Sequence, residues 1–159
     1  MRHVPLLALV LWLGCASGTG GPGHGGGMSQ QDLAEVIRQI DPQASGEDGG
    51  LEFVVDRVKM ACISDAEYGR MRIVAPIRAV SSLSAAQIVA VLEANYHSAL
   101  DARYATSHGI LYAAFIHPLA PLSPAQVRSA ARQVASLVRT FGSTYSSGTL
   151  LFQEPGEAL

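Results

Sequence analysis

The 159-residue sequence is poor in lysine, cysteine and aromatic residues, and these shortages exclude several classes of protein. Lys59 is the single lysine among 11 basic residues and the formal net charge is −2, so the sequence lacks the basic face that nucleic-acid binding requires. The two cysteines, Cys15 and Cys62, are too few for a disulfide framework and too far apart for a clustered zinc site. The hydrophobic fraction of 48% is nevertheless sufficient for one folded domain.

The histidines are spaced in a way that does not favour metal binding. His97, His108 and His117 do not place two ring nitrogens on one helical turn or on one strand face, so no metal site is predicted. His117 shares a predicted strand face with Phe115 and Ala113. We therefore expect His117 to be a packing residue that makes one hydrogen bond.

Cys62 is the residue that most resembles a nucleophile. It shares an alternating apolar pattern with Val58 and Met60, and a free cysteine in that position typically behaves as a small buried hydrophobe. The glycine-rich stretch "SGTGGPGHGGG" is not a phosphate-binding loop, because such a loop follows a strand and no strand precedes this stretch. We predict no catalytic residue and no cofactor. The alternative is a hydrolase that uses Cys62 with a histidine and Asp101, and it requires a reactive thiol.

The first residues have the composition of a secretory signal. In residues 1–18, Arg2 gives a positive start and is followed by the apolar run "VPLLALVLWLG", which is shorter than the roughly 20 residues of a membrane-spanning helix. Gly14 before Cys15 is typical of a lipoprotein signal, although Trp12 departs from the usual Leu-like residue, so we predict that Cys15 is lipidated and anchors the protein to a membrane of the cell envelope. For an exported protein, cleavage after "ASG" by an ordinary signal peptidase is the alternative. Residues 19–28 are predicted to be a flexible Gly-rich linker. The alternative is a cytoplasmic protein whose translation starts at Met28.

Three segments carry apolar residues with a helical period. The predicted stripes are Leu33, Val36, Ile37 and Ile40 in the first helix; Ile88, Val91, Leu92, Tyr96 and Leu100 in the second; and Val127, Ala131, Val134, Val138 and Phe141 in the third. The second and third helices begin with similar sequences, "LSAAQI" and "LSPAQV". Ser84 with Gln87, and Ser123 with Gln126, each form a capping box, which explains the similarity locally. Gly142 is a natural stop for the third helix.

Five runs have the composition of strands: "LEFVV", "VKMACIS", "YGRMRIVAPI", "DARYATS" and "ILYAAFI". Two-residue connections at Asp56–Arg57 and His108–Gly109 predict antiparallel hairpins, and Pro76 marks the point where the third run stops pairing. The fold class is therefore α+β, with an antiparallel five-stranded sheet and three helices in the order α-β-β-β-α-β-β-α. The folded domain is predicted over residues 29–152, followed by a disordered tail at 153–159.

Alternation along the strands predicts two different sheet faces. The apolar side chains of the third run point one way, towards a covered face, while Arg70 and Arg72 point the other way with Arg103. We predict that these three arginines bind a protein partner. An exposed strand edge that accepts an extended peptide is the alternative binding surface. Asp101 and Arg103, two residues apart, are expected to join Arg72 in a cross-strand ion-pair network.

Four strings within this pattern carry a resemblance to a known family: "RMRIVAPI", "LEANYHSALDARYA", "LYAAFIHPL" and "TFGSTYSSG". With the element order, they resemble the YbjN-like group and the allied type III secretion chaperone-like fold over residues 29–152. The resemblance implies a small protein-binding module, often a homodimer, that holds a partner peptide or regulates a response. The leader departs from the pattern, because secretion chaperones work in the cytosol.

Two functional hypotheses remain open at this point. The first is a non-enzymatic, chaperone-like module that binds protein or peptide, forms a homodimer, and is tethered to a membrane through Cys15. The second is a cytosolic YbjN-like regulator or secretion chaperone that starts at Met28.

Overall fold

The computed structural model describes residues 27–149 of the chain. Several sequence predictions lie outside these residues: the signal at 1–18 with Cys15, most of the linker at 19–28, and the tail at 153–159. The structure does not test those predictions. In the described part of the chain, no helix is long and apolar enough to cross a membrane.

Three α-helices form where the sequence predicts them: α1 (Gln30–Ile40), α2 (Ala85–His97) and α3 (Pro124–Thr140). The two predicted capping boxes are confirmed, because the Ser84 and Ser123 hydroxyls accept from the backbone N–H of Gln87 and Gln126, whose side chains accept from the serine N–H groups in return. α3 ends before Gly142, which has a φ of 82°. A short 3₁₀ turn at Val80–Ser82 leads into α2.

The sheet has six antiparallel strands, so the prediction of five is wrong by one. The strands are β1 (Ser45–Glu47), β2 (Gly50–Val55), β3 (Val58–Asp65), β4 (Arg70–Ala79), β5 (Arg103–Ser107) and β6 (Ile110–Pro118). Their spatial order is β1-β2-β3-β4-β6-β5. β1 was missed because its three residues are all exposed and contain a glycine, so they carry neither alternation nor strand propensity.

The predicted tight turns are confirmed. Asp56 and Arg57 have φ of 50° and 67°, and His108 and Gly109 have φ of 47° and 76°. A positive φ at both central residues is the type I′ geometry that matches the twist of the flanking strands. The prediction that pairing stops at Pro76 is wrong: the register shifts between Pro76 and Arg78, but Arg78 and Ala79 still pair with β6.

One face of the sheet, the inner face, is covered by α1 and α3. The predicted stripes of these two helices are confirmed, since Leu33, Ile37, Val127 and Val134 are at most 1% exposed. They pack against the alternate apolar side chains of the central strands, which are Leu51, Phe53, Met60, Cys62, Met71, Ile73, Ala75, Leu111, Ala113 and Phe115. The core is therefore a two-layer packing of two helices on one sheet face.

Buried polar contacts attach the segment before β5 to α3. The Gln133 side chain is 7% exposed, and its Oε1 accepts from the backbone N–H groups of Asp101 and Ala102 at 2.9 and 3.1 Å. Its Nε2 donates to a carboxylate oxygen of Asp101 and to the Ser129 hydroxyl. One glutamine thus satisfies two backbone donors that burial would otherwise leave unpaired, and it fixes where β5 begins.

Candidate binding surfaces

The face of the sheet opposite α1 and α3 is its outer face, defined here by Ile63, Arg70, Arg72, Val74, Ile116 and their outward-pointing neighbours. Strand pairing sets Ile63 of β3, Arg72 of β4 and Ile116 of β6 side by side in one row. Ile63 is 47% exposed and Ile116 is 51% exposed. Large aliphatic side chains in the middle of a sheet therefore remain accessible, and exposed apolar patches of this kind mark interaction sites.

Two shallow depressions lie on the outer face and share Ile63, Arg72 and Ile116 in their linings. One also includes Arg70 and has a volume of about 400 Å³. The other, also about 400 Å³, reaches across to Tyr112 and the β5 side of the sheet. The concave part of the outer face is thus centred on an arginine flanked by two isoleucines.

Arg70 and Arg72 occupy the predicted positions, two residues apart on β4 and both exposed. Among residues 27–149, neither guanidinium forms an ion pair or a hydrogen bond; the three salt bridges there use Arg38, Lys59 and Arg139. Both charges are therefore free to meet a partner.

Arg103 lies on the same face, but the structure gives it a different contact from the one predicted. Its Nη1 donates to the carbonyls of Ala99 and Ala102, both at 3.0 Å. Asp101 precedes β5 and accepts from Gln133. The predicted ion-pair network of Asp101, Arg103 and Arg72 is therefore wrong, because Arg103 instead binds the backbone that leads into its strand.

The edge of the sheet at β5 is blocked by a side chain. The N–H of Tyr104 donates to Asn95 Oδ1 at 2.7 Å, and Asn95 Nδ2 donates to the Tyr104 carbonyl at 3.0 Å. Asn95 of α2 thus pairs with β5 as a neighbouring strand would. At the opposite edge, β1 is a strand of only three residues. Further along β2, where β1 no longer lies beside it, the N–H of Val54 donates to Asp41 at 2.8 Å. The alternative of peptide addition at a strand edge is disfavoured.

A second exposed surface is the α2 face, defined by Ile88, Val89, Leu92 and Tyr96. These side chains are 40%, 52%, 63% and 71% exposed. Of the five residues of the predicted second stripe, Val91 is buried, Ile88, Leu92 and Tyr96 are exposed, and Leu100 lies beyond the end of the helix at His97. The reason is that α1 and α3 fill the inner face, whereas α2 packs beside β5 through Val91, Ala94 and Asn95. Ile88 and Val89 are adjacent in the sequence, so the apolar surface of α2 is wider than one stripe. The sequence alone therefore indicates that part of this surface is exposed.

Cys62 does not meet the other residues considered for catalysis, because Asp101 and His117 line one cavity of about 330 Å³ whose lining does not include Cys62. Cys62 is 3% exposed within the core, and burial raises the pKa of its thiol to about 12. His117 stacks on Phe115 with ring centroids 5.7 Å apart, and its Nδ1 lies 2.8 Å from the Pro118 carbonyl, which confirms its packing role. In the part of the chain that the structure describes, no three histidine, cysteine or acidic side chains are grouped to hold a metal ion.

Three solved structures resemble this fold at low sequence identity. The HopA1–SchA chaperone–effector complex matches with a TM-score of 0.53 and 14% identity, over 69% of this chain and 88% of the matched chain. The ExsC–ExsE complex matches with a TM-score of 0.52 and 15% identity, over 70% and 92%. The Yersinia pestis type III secretion chaperone SycH, in complex with a stable fragment of YscM2, matches with a TM-score of 0.51 and 12% identity, over 69% and 99%.

No family model and no curated protein matches the chain. At 12–15% identity, the structural likeness shows the fold alone. The resemblance to type III secretion chaperones is therefore confirmed for the fold, while membership of the YbjN-like group stays a prediction. The described domain has a type III secretion chaperone-like fold.

Burial of Cys62 leads to a kinetic prediction. Raising the pKa of a thiol from 9.0 to about 12 lowers its thiolate fraction near neutral pH by about 1000-fold. In a Cys15→Ser variant, we expect iodoacetamide to alkylate Cys62 at least about 100-fold more slowly in the native protein than in urea, since ~3 pKa units separate the buried thiol from the exposed one. Mass spectrometry at timed intervals measures both rates. Rapid alkylation of the native protein would revive the thiol-hydrolase alternative.

Proposed function

We propose that the chain is a non-enzymatic, chaperone-like module that binds a segment of a partner protein on the outer face of its sheet. The observation that carries the proposal is the row of Ile63, Arg72 and Ile116, which combines accessible aliphatic surface with an unpaired cation. A surface of this composition fits a polypeptide, which supplies both apolar and charged side chains. Arg103 lies on the same face, in register with Ala114 of β6 and Val74 of β4, one row away from Arg72.

The structural neighbours support a protein partner. HopA1–SchA was solved as a chaperone–effector complex, and SycH was solved with a fragment of YscM2. For this chain, a partner role follows from the shared fold together with the uncovered outer face. A single fold hosts many functions, so the composition of the exposed surface decides what the domain can bind.

The protein is further proposed to form a homodimer through the α2 face. Four apolar side chains, 40–71% exposed, lie on one short helix, and a second copy of that helix presents a surface of the same kind. A two-fold axis at the helix would bring the two faces together, which is the commonest arrangement in symmetric oligomers. A groove of about 370 Å³ between α2 and β5, lined by Leu83, Ile88 and Leu92, adds apolar surface beside the face.

The membrane attachment predicted from Cys15 belongs to the proposal as well. A cytosolic protein that starts at Met28 is the alternative, and the two differ in whether the protein carries a fatty acid. We expect metabolic labelling with a fatty-acid analogue to modify the wild-type protein and not a Cys15→Ser variant. Label that persists in the variant would remove Cys15 as the anchor, and an unlabelled wild-type protein that begins at Met28 would establish the cytosolic alternative.

The dimer is tested by placing a charge in the α2 face. We expect Leu92→Glu to raise the dissociation constant of the dimer by at least about 30-fold, because a buried carboxylate at an interface costs about 2 kcal/mol or more. Glu93→Ala, at the next exposed position of the helix, is the matched control and should leave the dimer intact. Sedimentation velocity at several concentrations gives the constant. A monomeric wild-type protein, or a Leu92→Glu dimer of unchanged affinity, would refute this interface.

The outer face is tested with a double variant, Ile63→Asp with Ile116→Asp. Both positions are exposed, so the variant should fold, and circular dichroism checks this. Proteins captured from the source cells by the wild-type protein are identified, purified and titrated individually. We expect the double variant to weaken their binding at least tenfold, since an apolar contact is replaced by a desolvated charge. Arg132→Ala on α3 is the control. Partners that bind the double variant as tightly as the wild type would refute the outer face as the site.

A further inference from the structure

The chemistry of the partner segment can be inferred from the charges on the outer face, and this inference rests on the proposed function. The face carries one ion pair, in which Lys59 Nζ lies 2.6 Å from Glu52. That pair lies on β2 and β3, towards one side of the sheet. Glu52 therefore neutralises the charge of Lys59, whereas no salt bridge within residues 27–149 neutralises Arg70 or Arg72 on β4.

The excess positive charge is concentrated at Arg70 and Arg72. Side chains two residues apart on a strand point the same way and are separated by roughly 7 Å, so the two guanidinium groups repel each other weakly. The carboxylate closest in register is Asp65, opposite Arg70 on β3. It accepts a hydrogen bond from the N–H of Tyr68 at 3.0 Å and forms no ion pair with Arg70.

The residues beside Arg72 determine which groups a ligand needs in addition to an acid. Ile63 and Ile116 flank it on the adjacent strands, each roughly 4.8 Å away across the sheet. Both are about half exposed. A carboxylate placed on Arg72 therefore has aliphatic surface on both sides, and a ligand with apolar groups next to its acid would cover that surface. Guanidinium groups bind carboxylates in a bidentate geometry, which adds orientation to the charge attraction.

We infer that the outer face recognises an acidic–aliphatic protein segment, in which Asp or Glu is flanked by Leu, Ile or Val. The carboxylates bind Arg70 and Arg72, and the aliphatic side chains pack on Ile63 and Ile116. The segment lies across the face, since the edge at β5 is occupied by Asn95. A protein segment fits better than a nucleic acid, because the sugar–phosphate backbone would leave both isoleucines without an apolar contact.

The inference is tested by selecting binders from a displayed library of random 12-residue peptides against the full-length protein. We expect the enriched peptides to contain Asp or Glu next to aliphatic residues. Synthesised binders should lose about tenfold in affinity with Arg70→Ala and Arg72→Ala combined, and should weaken as salt is raised. Arg70→Glu with Arg72→Glu should instead select peptides that contain Lys or Arg. Arg132→Glu, a charge reversal on α3, is the control and should leave the selection unchanged.

The other outcomes would refute the acidic preference, the outer face as the binding site, or the class of partner. Enriched peptides without acidic residues, whose binding is lost in the Ile63→Asp and Ile116→Asp variant, would refute the acidic preference and leave the proposed function standing. Enriched peptides that bind every outer-face variant equally would refute both. A single-stranded oligonucleotide of matched charge that binds the wild-type protein more tightly than the selected peptides would replace the protein segment by a nucleic acid.

Discussion

Burial of the inner sheet face under α1 and α3 is the constraint on which the rest of the structure depends. The paired strands β4 and β6 both lie in the interior of the sheet, and α3 packs along both of them. Because two helices are sufficient to cover this face, the third has no room there. The sheet therefore keeps one dry side and one accessible side, and the accessible side is the surface left for a ligand.

The position of α2 follows from the same constraint and has two effects. On its inward side the helix contributes Asn95, which pairs with Tyr104 and blocks the edge of the sheet. On its outward side it exposes Ile88, Leu92 and Tyr96. An unprotected edge next to an apolar surface would favour uncontrolled association through strand pairing, and the asparagine hinders such pairing at Tyr104.

Local signals in the sequence predicted most of the fold. The capping boxes located the starts of α2 and α3, and the two-residue turns located two hairpins, because each feature depends on neighbouring residues alone. Alternation correctly separated the inner side chains from Arg70 and Arg72. β1 was missed because three exposed residues leave no periodic pattern.

The errors at the candidate site have a common physical origin. The predicted stripe of α2 is not one face of the helix, because Leu100 lies beyond its end and Val91 is buried while Ile88, Leu92 and Tyr96 are exposed. Periodicity also does not say whether a partner element is available to cover a stripe. The roles of Asp101 and Arg103 depend on Gln133, 32 residues from Asp101, and on the carbonyls before β5. The pairing of Asn95 with Tyr104 likewise depends on how a helix docks beside a strand. Contacts of this kind arise from tertiary packing and have no local signature.

The burial of Cys62 gives this protein a natural chemical handle. The sequence contains two cysteines, and the one inside the described domain is shielded by the core. A fluorescent maleimide applied briefly to the native protein therefore spares Cys62, so any label that it leaves marks a thiol outside the described domain. If the predicted lipid is attached to the Cys15 sulfur, that thiol is blocked as well and the native protein takes up no dye.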